Sequence, residues 1–344
     1  MLNLEADLTH IDYQIMNNSH FDQELKSISS LLNRHGVSRD DLLEFMLATK
    51  YNRRYGRIPE QTHLKLVSMF CRSSGEIQET IHNFRLENAC NTCESIELKS
   101  ALFTLSPDDF TSIIHKLSDD GYAALPFCLP RNLCSQILEF SQSCDHSCIL
   151  KNSDGISRYS IPNLSLLRRG TISAHMGEQN ILRNPIVFEV VNDPVIAGIA
   201  RFYLRTAIQL RHVSLWHSYP SFNSEPESEL AQLFHFDLDE FRWLKLFIFL
   251  TDVESSNGPH VYIPGTHRTC SKAPDLLRRG YSRITDEDME KYHPRSTWHE
   301  ILGQAGTMVF ADTRCWHKGS PVINGVRTML QPEYAPSSFS KQFL

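Results

Sequence analysis

Two histidines, an aspartate and an arginine have types and spacings that suit a mononuclear iron centre. His235 and Asp237 lie two positions apart in the string FHFDLD. His317 follows in the string CWHKGSP, and Arg327 comes ten positions after it. Two imidazoles and one carboxylate occupy one face of an octahedral ion and leave three positions open. A guanidinium holds a carboxylate through paired hydrogen bonds, so the set predicts non-haem iron(II) chemistry with a 2-oxo acid and O₂.

The segments around these residues have the pattern of short strands. On a strand, His-x-Asp places both side chains on one face because successive residues alternate. Apolar runs bounded by turn residues continue after residue 155, and they include VSLWHSY, LKLFIFL, HVYIPG, GTMVFAD and the segment after Arg327. Short strands without long helices between them predict an antiparallel sandwich or barrel. No Gly-rich phosphate loop occurs in the sequence, which agrees with this prediction.

The first hundred residues have a helical pattern instead. Ser38 and Asp41 form an N-cap pattern before the string LLEFMLATKY. Residues 88–100 are polar and lack periodicity, as linkers do. We therefore predict a helical N-terminal region of unassigned role over residues 1–100 and a β domain over residues 101–344.

The β domain is expected to open with two helices and to contain one insertion. Ser106 as N-cap, Pro107 at the first helical position and Gly121 as a stop predict the first helix. The second helix is expected over residues 130–141. Residues 268–300 interrupt the strands, and we expect them to form a helical or irregular lid.

Several longer strings carry a family resemblance. They are HFDLDEFRWLKLFIFLTDVESSNGPHVYIPGTHR, GQAGTMVFADTRCWHKGSP, NGVRTML and, at the start, DDGYAALPFCLP. Over roughly residues 105–335 the chain resembles the phytanoyl-CoA dioxygenase family of Fe(II)- and 2-oxoglutarate-dependent oxygenases. The resemblance implies a mainly β fold, a cupin-like double-stranded β-helix or jelly roll with flanking α-helices. It also implies Fe(II), the co-substrate 2-oxoglutarate, and O₂.

The resemblance implies a role for each of the four residues. His235, Asp237 and His317 match the metal ligands of the family. Arg327 matches the residue that binds the distal carboxylate of 2-oxoglutarate. Halogenases of this superfamily have a small residue at the position of Asp237, so an acid there favours hydroxylation with release of succinate and CO₂. Desaturation, ring formation and epimerisation stay open.

Three further residues are expected near the co-substrate. Alternation in LKLFIFL places Lys245 and Phe247 on one face of a strand. We expect Lys245 to face the barrel interior and bind 2-oxoglutarate or substrate, because a lysine among apolar neighbours needs a partner when buried. The alternative is a strand-end lysine that reaches water. Phe247 matches a family position that lines the co-substrate pocket, although the family often has Trp there. His217 is expected to line the same cavity.

The sequence leaves the substrate open beyond a small molecule. Basic residues of the insertion either attract an anionic substrate or form a solvated face, and they are Arg268, Lys272, Arg278, Arg279 and Arg283. Two other functions stay open. One is a metal-binding jelly-roll protein without redox turnover. The other is a protein-modifying hydroxylase recruited through the helical region.

Composition limits the class of protein. The chain has 344 residues, of which 41% are hydrophobic, with a net charge of -6. This charge argues against nucleic-acid binding, which favours a basic face. Nine cysteines, together with an N-terminus that lacks a secretory pattern, lead us to expect a cytoplasmic protein with reduced thiols. No apolar run reaches the roughly 18 residues of a membrane helix, so no membrane insertion is expected. Oligomeric state is left open.

Overall fold

The computed structural model describes residues 19–38, 40–41, 60–88, 96–153, 155–221, 226–239, 241–280 and 282–336. Three helices precede residue 96 in the described part of the chain. They are α1 (Ser19–Arg34), α2 (Glu60–Ser73) and α3 (Glu76–Asn88). The predicted helix over LLEFMLATKY lies outside the described residues.

The helices of the second region flank the strands. They are α4 (Pro107–Asp120), α5 (Arg131–Gln142), α6 (Glu178–Ile181), α7 (Pro185–Val191), α8 (Pro194–Leu204), α9 (Pro274–Leu277) and α10 (Asp286–Glu290). Helix α4 has the predicted ends, since the Ser106 hydroxyl accepts from the backbone N–H of Asp109 at 3.0 Å and Gly121 closes it at φ 83°. Helix α5 also lies where expected. None of the described helices is long and apolar enough to span a bilayer.

Eleven strands in the described chain form two antiparallel sheets. They are β1 (Tyr122–Ala124), β2 (His146–Asn152), β3 (Gly155–Ile161), β4 (Thr171–Met176), β5 (Ile208–Ser218), β6 (Leu244–Phe249), β7 (His260–Tyr262), β8 (His299–Ile301), β9 (Met308–Ala311), β10 (His317–Gly319) and β11 (Arg327–Pro336). The large sheet has the order β1-β9-β6-β11-β5-β4-β2-β3, and the small sheet has the order β10-β7-β8. Together they form the double-stranded β-helix, which confirms the predicted fold.

Strand β6 shows how the barrel separates its two faces. Phe247 and Phe249 pack inside with Tyr262 of the small sheet and Met329 of β11. The leucines and Ile248 that alternate with them face outward, against the flanking helices. The predicted alternation in LKLFIFL is therefore confirmed, and the inward face is the one that can carry a site.

The N-terminal helices pack directly against the β domain. Residues of α1, α2 and α3 belong to one apolar core with the segment around Phe236 and with Trp316. The ring of Phe70 in α2 lies 5.0 Å from that of Phe236, and Phe236 lies 4.9 Å from Trp316 in an edge-to-face contact. Leu276 and Ile284 of the insertion are buried in the same core. Three separate parts of the sequence thus meet in one core.

Candidate metal centre

Backbone hydrogen bonds bring the two predicted ligand segments together. The N–H of His235 donates to the carbonyl of His317 at 2.9 Å, and the N–H of His317 donates back at 2.8 Å. The N–H of Asp237 donates to the carbonyl of Thr313 at 2.8 Å. Because paired residues of neighbouring strands share a face, both imidazoles point to the same side.

His235, Asp237 and His317 converge on one point. Their ligand atoms all lie within 4.8 Å of one another, and no other such group of three occurs among the residues that the structure describes. Nε2 of His235 is 3.7 Å from Oδ1 of Asp237. Nε2 of His317 is 3.8 Å from Oδ2 of the same carboxylate. Three donors at these distances fit around a single transition-metal ion.

Hydrogen bonds orient both imidazoles for metal binding. Nδ1 of His235 lies 2.9 Å from the carbonyl of Leu233, and Nδ1 of His317 lies 2.9 Å from the carbonyl of Cys315. A carbonyl can only accept, so each Nδ1 carries the proton and each Nε2 presents a lone pair. The donor set therefore has the tautomers that a metal requires.

Burial and the charge of Lys245 together keep the three donors in their metal-binding protonation states. It lowers the pKa of His235 to about 3 and also lowers the pKa of His317. Burial raises the pKa of Asp237, but the ammonium of Lys245 outweighs this effect and holds that pKa well below its usual range. At neutral pH the site offers two neutral imidazoles and one carboxylate.

A buried ion pair fixes the segment that leads to His317. Asp312 is fully buried and accepts from Arg314 Nη2 at 2.6 Å and from the Tyr203 hydroxyl at 2.8 Å. Gly121, the residue that ends α4, packs closely here, since an added Cβ would lie 2.4 Å from Sγ of Cys315. The position of His317 therefore depends on contacts to α4 and α8.

Arg327 is a buried guanidinium without a carboxylate partner in the described part of the chain. It is 5% exposed, and its Nη2 donates to the Ser218 hydroxyl at 3.3 Å. Nε and Nη1 make no hydrogen bond to the described residues, and burial lowers the pKa of Arg327 to about 10. An added Cβ at Gly319, two residues after His317, would lie 3.7 Å from Nη2. The guanidinium thus lies beside β10, with two donors available to an anion.

Phe247 lies on the inward face, close to a histidine that sequence reasoning missed. Its ring is 4.6 Å from that of His260 on β7. Burial lowers the pKa of His260 well below its usual value, and the charge of Arg327 acts in the same direction. Tyr262 was also missed, and it stacks on His317 with ring centroids 5.2 Å apart. The alternation of His260 and Tyr262 in HVYIPG could have identified both.

Lys245 faces the interior, as expected, but it contacts acids rather than an open anion site. Its Nζ donates to Oδ2 of Asp237 at 2.8 Å and lies 2.7 Å from Asp239 and 3.5 Å from Glu333. Burial alone would lower the pKa of Lys245, yet the three carboxylates raise it well above the usual value. The geometry places this ammonium beside the carboxylate of Asp237, a proposed metal ligand.

His217 lies on the opposite side of the sheet from the expected cavity. Its Nδ1 is 2.9 Å from the hydroxyl of Thr328, whereas its neighbour Ser218 contacts Arg327. Because strand residues alternate, His217 and Thr328 point to the face opposite Ser218 and Arg327. The expectation that His217 lines the co-substrate cavity is corrected accordingly.

The family comparison agrees with this site. Two histidines and one carboxylate with open coordination positions are typical of non-haem Fe(II) oxygenases. The sequence profile of the phytanoyl-CoA dioxygenase family matches residues 118–328, and the chain belongs to that family. A comparison of the sequence with curated proteins gives no match.

Several solved structures resemble the chain at low identity. The epimerase SnoN from nogalamycin biosynthesis is 14% identical over 67% of this chain and 85% of its own, with a TM-score of 0.47. HygX from Streptomyces hygroscopicus, solved with nickel and 2-oxoglutarate, is 12% identical over 68% of this chain and 88% of its own, with a TM-score of 0.46. EctD from S. alaskensis is 17% identical over 72% of this chain and 86% of its own, with a TM-score of 0.45.

Proposed function

We propose that this enzyme hydroxylates a small-molecule substrate, with release of succinate and CO₂. In this proposal His235, Asp237 and His317 hold Fe(II), and Arg327 binds the distal carboxylate of 2-oxoglutarate. When bound, iron and 2-oxoglutarate together activate O₂ and supply the oxidant for attack on a substrate C–H bond. A carboxylate at Asp237 fills the position at which halogenases bind halide, which favours hydroxylation.

One observation carries the proposal, namely the buried and unpaired guanidinium of Arg327 beside β10, the strand that begins at the proposed ligand His317. An isolated buried charge is costly unless an opposite charge compensates it. The described residues supply no such charge, and two N–H groups of Arg327 lack partners. A dicarboxylate that reaches from the metal to Arg327 supplies both the missing negative charge and acceptors for these N–H groups. A metal protein without redox turnover has no need of this second, unpaired cation.

The test is succinate formation from 2-oxoglutarate by anaerobically loaded Fe(II) protein after O₂ is admitted. We expect slow turnover without substrate, which His235→Ala abolishes because the ion loses a ligand. Arg327→Ala should raise the KM for 2-oxoglutarate roughly 10- to 100-fold, since charge-assisted hydrogen bonds are lost. His115→Ala and Arg278→Ala, at exposed positions, serve as matched controls.

A second readout separates binding from turnover. Anaerobic addition of 2-oxoglutarate to the Fe(II) protein should give a charge-transfer absorption band that Arg327→Ala weakens at equal concentration. If the wild-type protein gave neither succinate nor this band, the proposal would be refuted in favour of a metal protein without redox turnover. A band without turnover would restrict the protein to co-substrate binding.

A further inference from the structure

The insertion between β7 and β8 pairs with the strand segment that carries His235. Phe234 donates its N–H to the carbonyl of Ile284 at 2.9 Å, and Ile284 donates back at 2.8 Å. The two residues form an antiparallel bridge. In an antiparallel register, one step forward on one strand faces one step back on the other. Arg283 is therefore directly opposite His235.

Side-chain alternation then places Arg283 on the face of the metal centre. Phe234 and Ile284 are both buried in the apolar core behind the site. Their neighbours His235 and Arg283 consequently point to the other side. The row continues across the adjacent strands, because His235 pairs with His317 and His317 pairs with Tyr262. Arg283 thus ends a same-face row that contains two of the three proposed ligands.

Arg283 differs from the other basic residues of the insertion. Arg268 pairs with Asp119 at 3.1 Å, and Arg279 pairs with Asp288 at 2.6 Å. Arg278 pairs with Asp275, and Lys272 lies over the rings of Phe70, Phe236 and Trp316. Arg283 has no ion pair within the described chain, and its Nη1 is buried without a hydrogen-bond partner.

Contacts on both sides hold the segment of Arg283 in place. Nζ of Lys318, next to His317, donates to Asp286 at 2.6 Å and lies 5.0 Å from the ring centre of Phe234. The hydroxyl of Thr285 caps α10 by accepting from the N–H of Asp288 at 3.3 Å. These contacts fix the backbone that carries Arg283, and a backbone already in place lowers the entropic cost of binding a ligand.

We propose that Arg283 binds an anionic group of the substrate, so the substrate class is small molecules that carry a carboxylate or a phosphate. This inference rests on the proposed function, because it places the anion beside the iron ligands. Arg327 lies on β11 and binds the co-substrate, whereas Arg283 lies on the insertion and faces His235. The two arginines thus separate recognition of co-substrate and substrate.

The experiment measures anion binding to protein loaded with Mn(II) and saturated with 2-oxoglutarate, by calorimetry at constant ionic strength. Acetate is the probe for a carboxylate, and sulfate is the probe for a tetrahedral anion such as phosphate. We expect saturable binding of at least one anion to the wild type. Arg283→Gln should weaken it roughly 10-fold or more, as expected for loss of a charge-assisted hydrogen bond. Arg283→Lys should retain part of it, and Arg278→Gln should match the wild type.

Three results would overturn the inference. The first is no saturable binding of either anion to the wild type. The second is equal binding by the wild type and Arg283→Gln. The third is loss of 2-oxoglutarate affinity in Arg283→Gln as large as in Arg327→Ala, which would assign Arg283 to the co-substrate. Failure of the proposed function is distinguishable, because it appears as absent succinate formation by the wild type, whatever the anion titration gives.

Discussion

Three carboxylates contact the ammonium of Lys245 next to the candidate metal centre. Its ammonium donates to Oδ2 of Asp237 and leaves Oδ1 to face His235. Asp239 and Glu333 contact the same ammonium. Groups that hydrogen-bond a metal ligand fix its orientation. We infer that Lys245 is a positioning residue for Asp237, in place of the direct anion binding that the sequence led us to expect.

Removal of Lys245 distinguishes these two roles. Lys245→Met should weaken metal affinity roughly 10- to 100-fold, because Asp237 loses the donor that orients it. Lys245→Arg keeps the charge and should recover part of that affinity. The measurement is a titration with Mn(II), followed by one with 2-oxoglutarate on the metal-loaded protein. Unchanged metal affinity with a raised Kd for 2-oxoglutarate would restore the original expectation.

At the scale of secondary-structure elements, helix α2 supports the ligand segments from outside the barrel. Phe70 is 4% exposed and contacts Phe236, which lies between His235 and Asp237 in the sequence. Phe236 in turn contacts Trp316, the residue before His317. The apolar contact of one helix thus reaches the neighbours of all three proposed ligands.

A pair of substitutions on α2 tests this support. Phe70→Ala should lower the free energy of unfolding by about 3–5 kcal/mol, because it leaves a cavity in the core. Leu64→Ala is the control, since Leu64 is 59% exposed on the same helix and should change that free energy by no more than about 0.5 kcal/mol. Urea denaturation measures both. Equal effects of the two substitutions would contradict the role of Phe70.

The caps and strands were predictable because their causes are local. The hydroxyl of Ser106, three residues from Asp109, predicted the start of α4, and alternation predicted β6. Helix α8 was missed because it is apolar on nearly all sides: Ile196, Ile199 and Ala200 are fully buried with most of their neighbours. A short apolar run of this kind is also typical of a buried strand, so the sequence does not identify it as a helix. Its burial is a property of the folded chain.

At the scale of the whole molecule, the helical region and the β domain share one hydrophobic core. The sequence predicted a division near residue 100, at a polar linker. Shared burial couples the stability of the two regions, because neither can unfold without exposing the apolar surface of the other. We therefore expect one cooperative unit across that predicted boundary.

Two spectroscopic probes test this cooperativity. The chain has four tryptophans, all beyond residue 200: Trp216, Trp243, Trp298 and Trp316. Tryptophan fluorescence therefore reports the β domain, whereas far-ultraviolet circular dichroism also reports α1–α3. Both should give the same urea midpoint. Mn(II) with 2-oxoglutarate should raise both midpoints together, because ligand at 100 times its Kd increases the free energy of unfolding by about 2.7 kcal/mol. Two separate transitions, of which only one responds to the ligands, would show independent domains.

The sequence by itself determined the donor types, the His-x-Asp alternation, the helix caps and the strand patterns, since each depends on residues within a few positions of one another. Only the tertiary structure decided the partners of Lys245, the outward face of His217 and the place of Arg283 opposite His235. The contact of Lys245 with Glu333, the face of His217 and the place of Arg283 depend on strand register between segments far apart in the chain. One step of register exchanges the two faces of a strand. The same long-range packing buries Arg327 without a counter-ion, which gives its guanidinium a reason to bind a carboxylate.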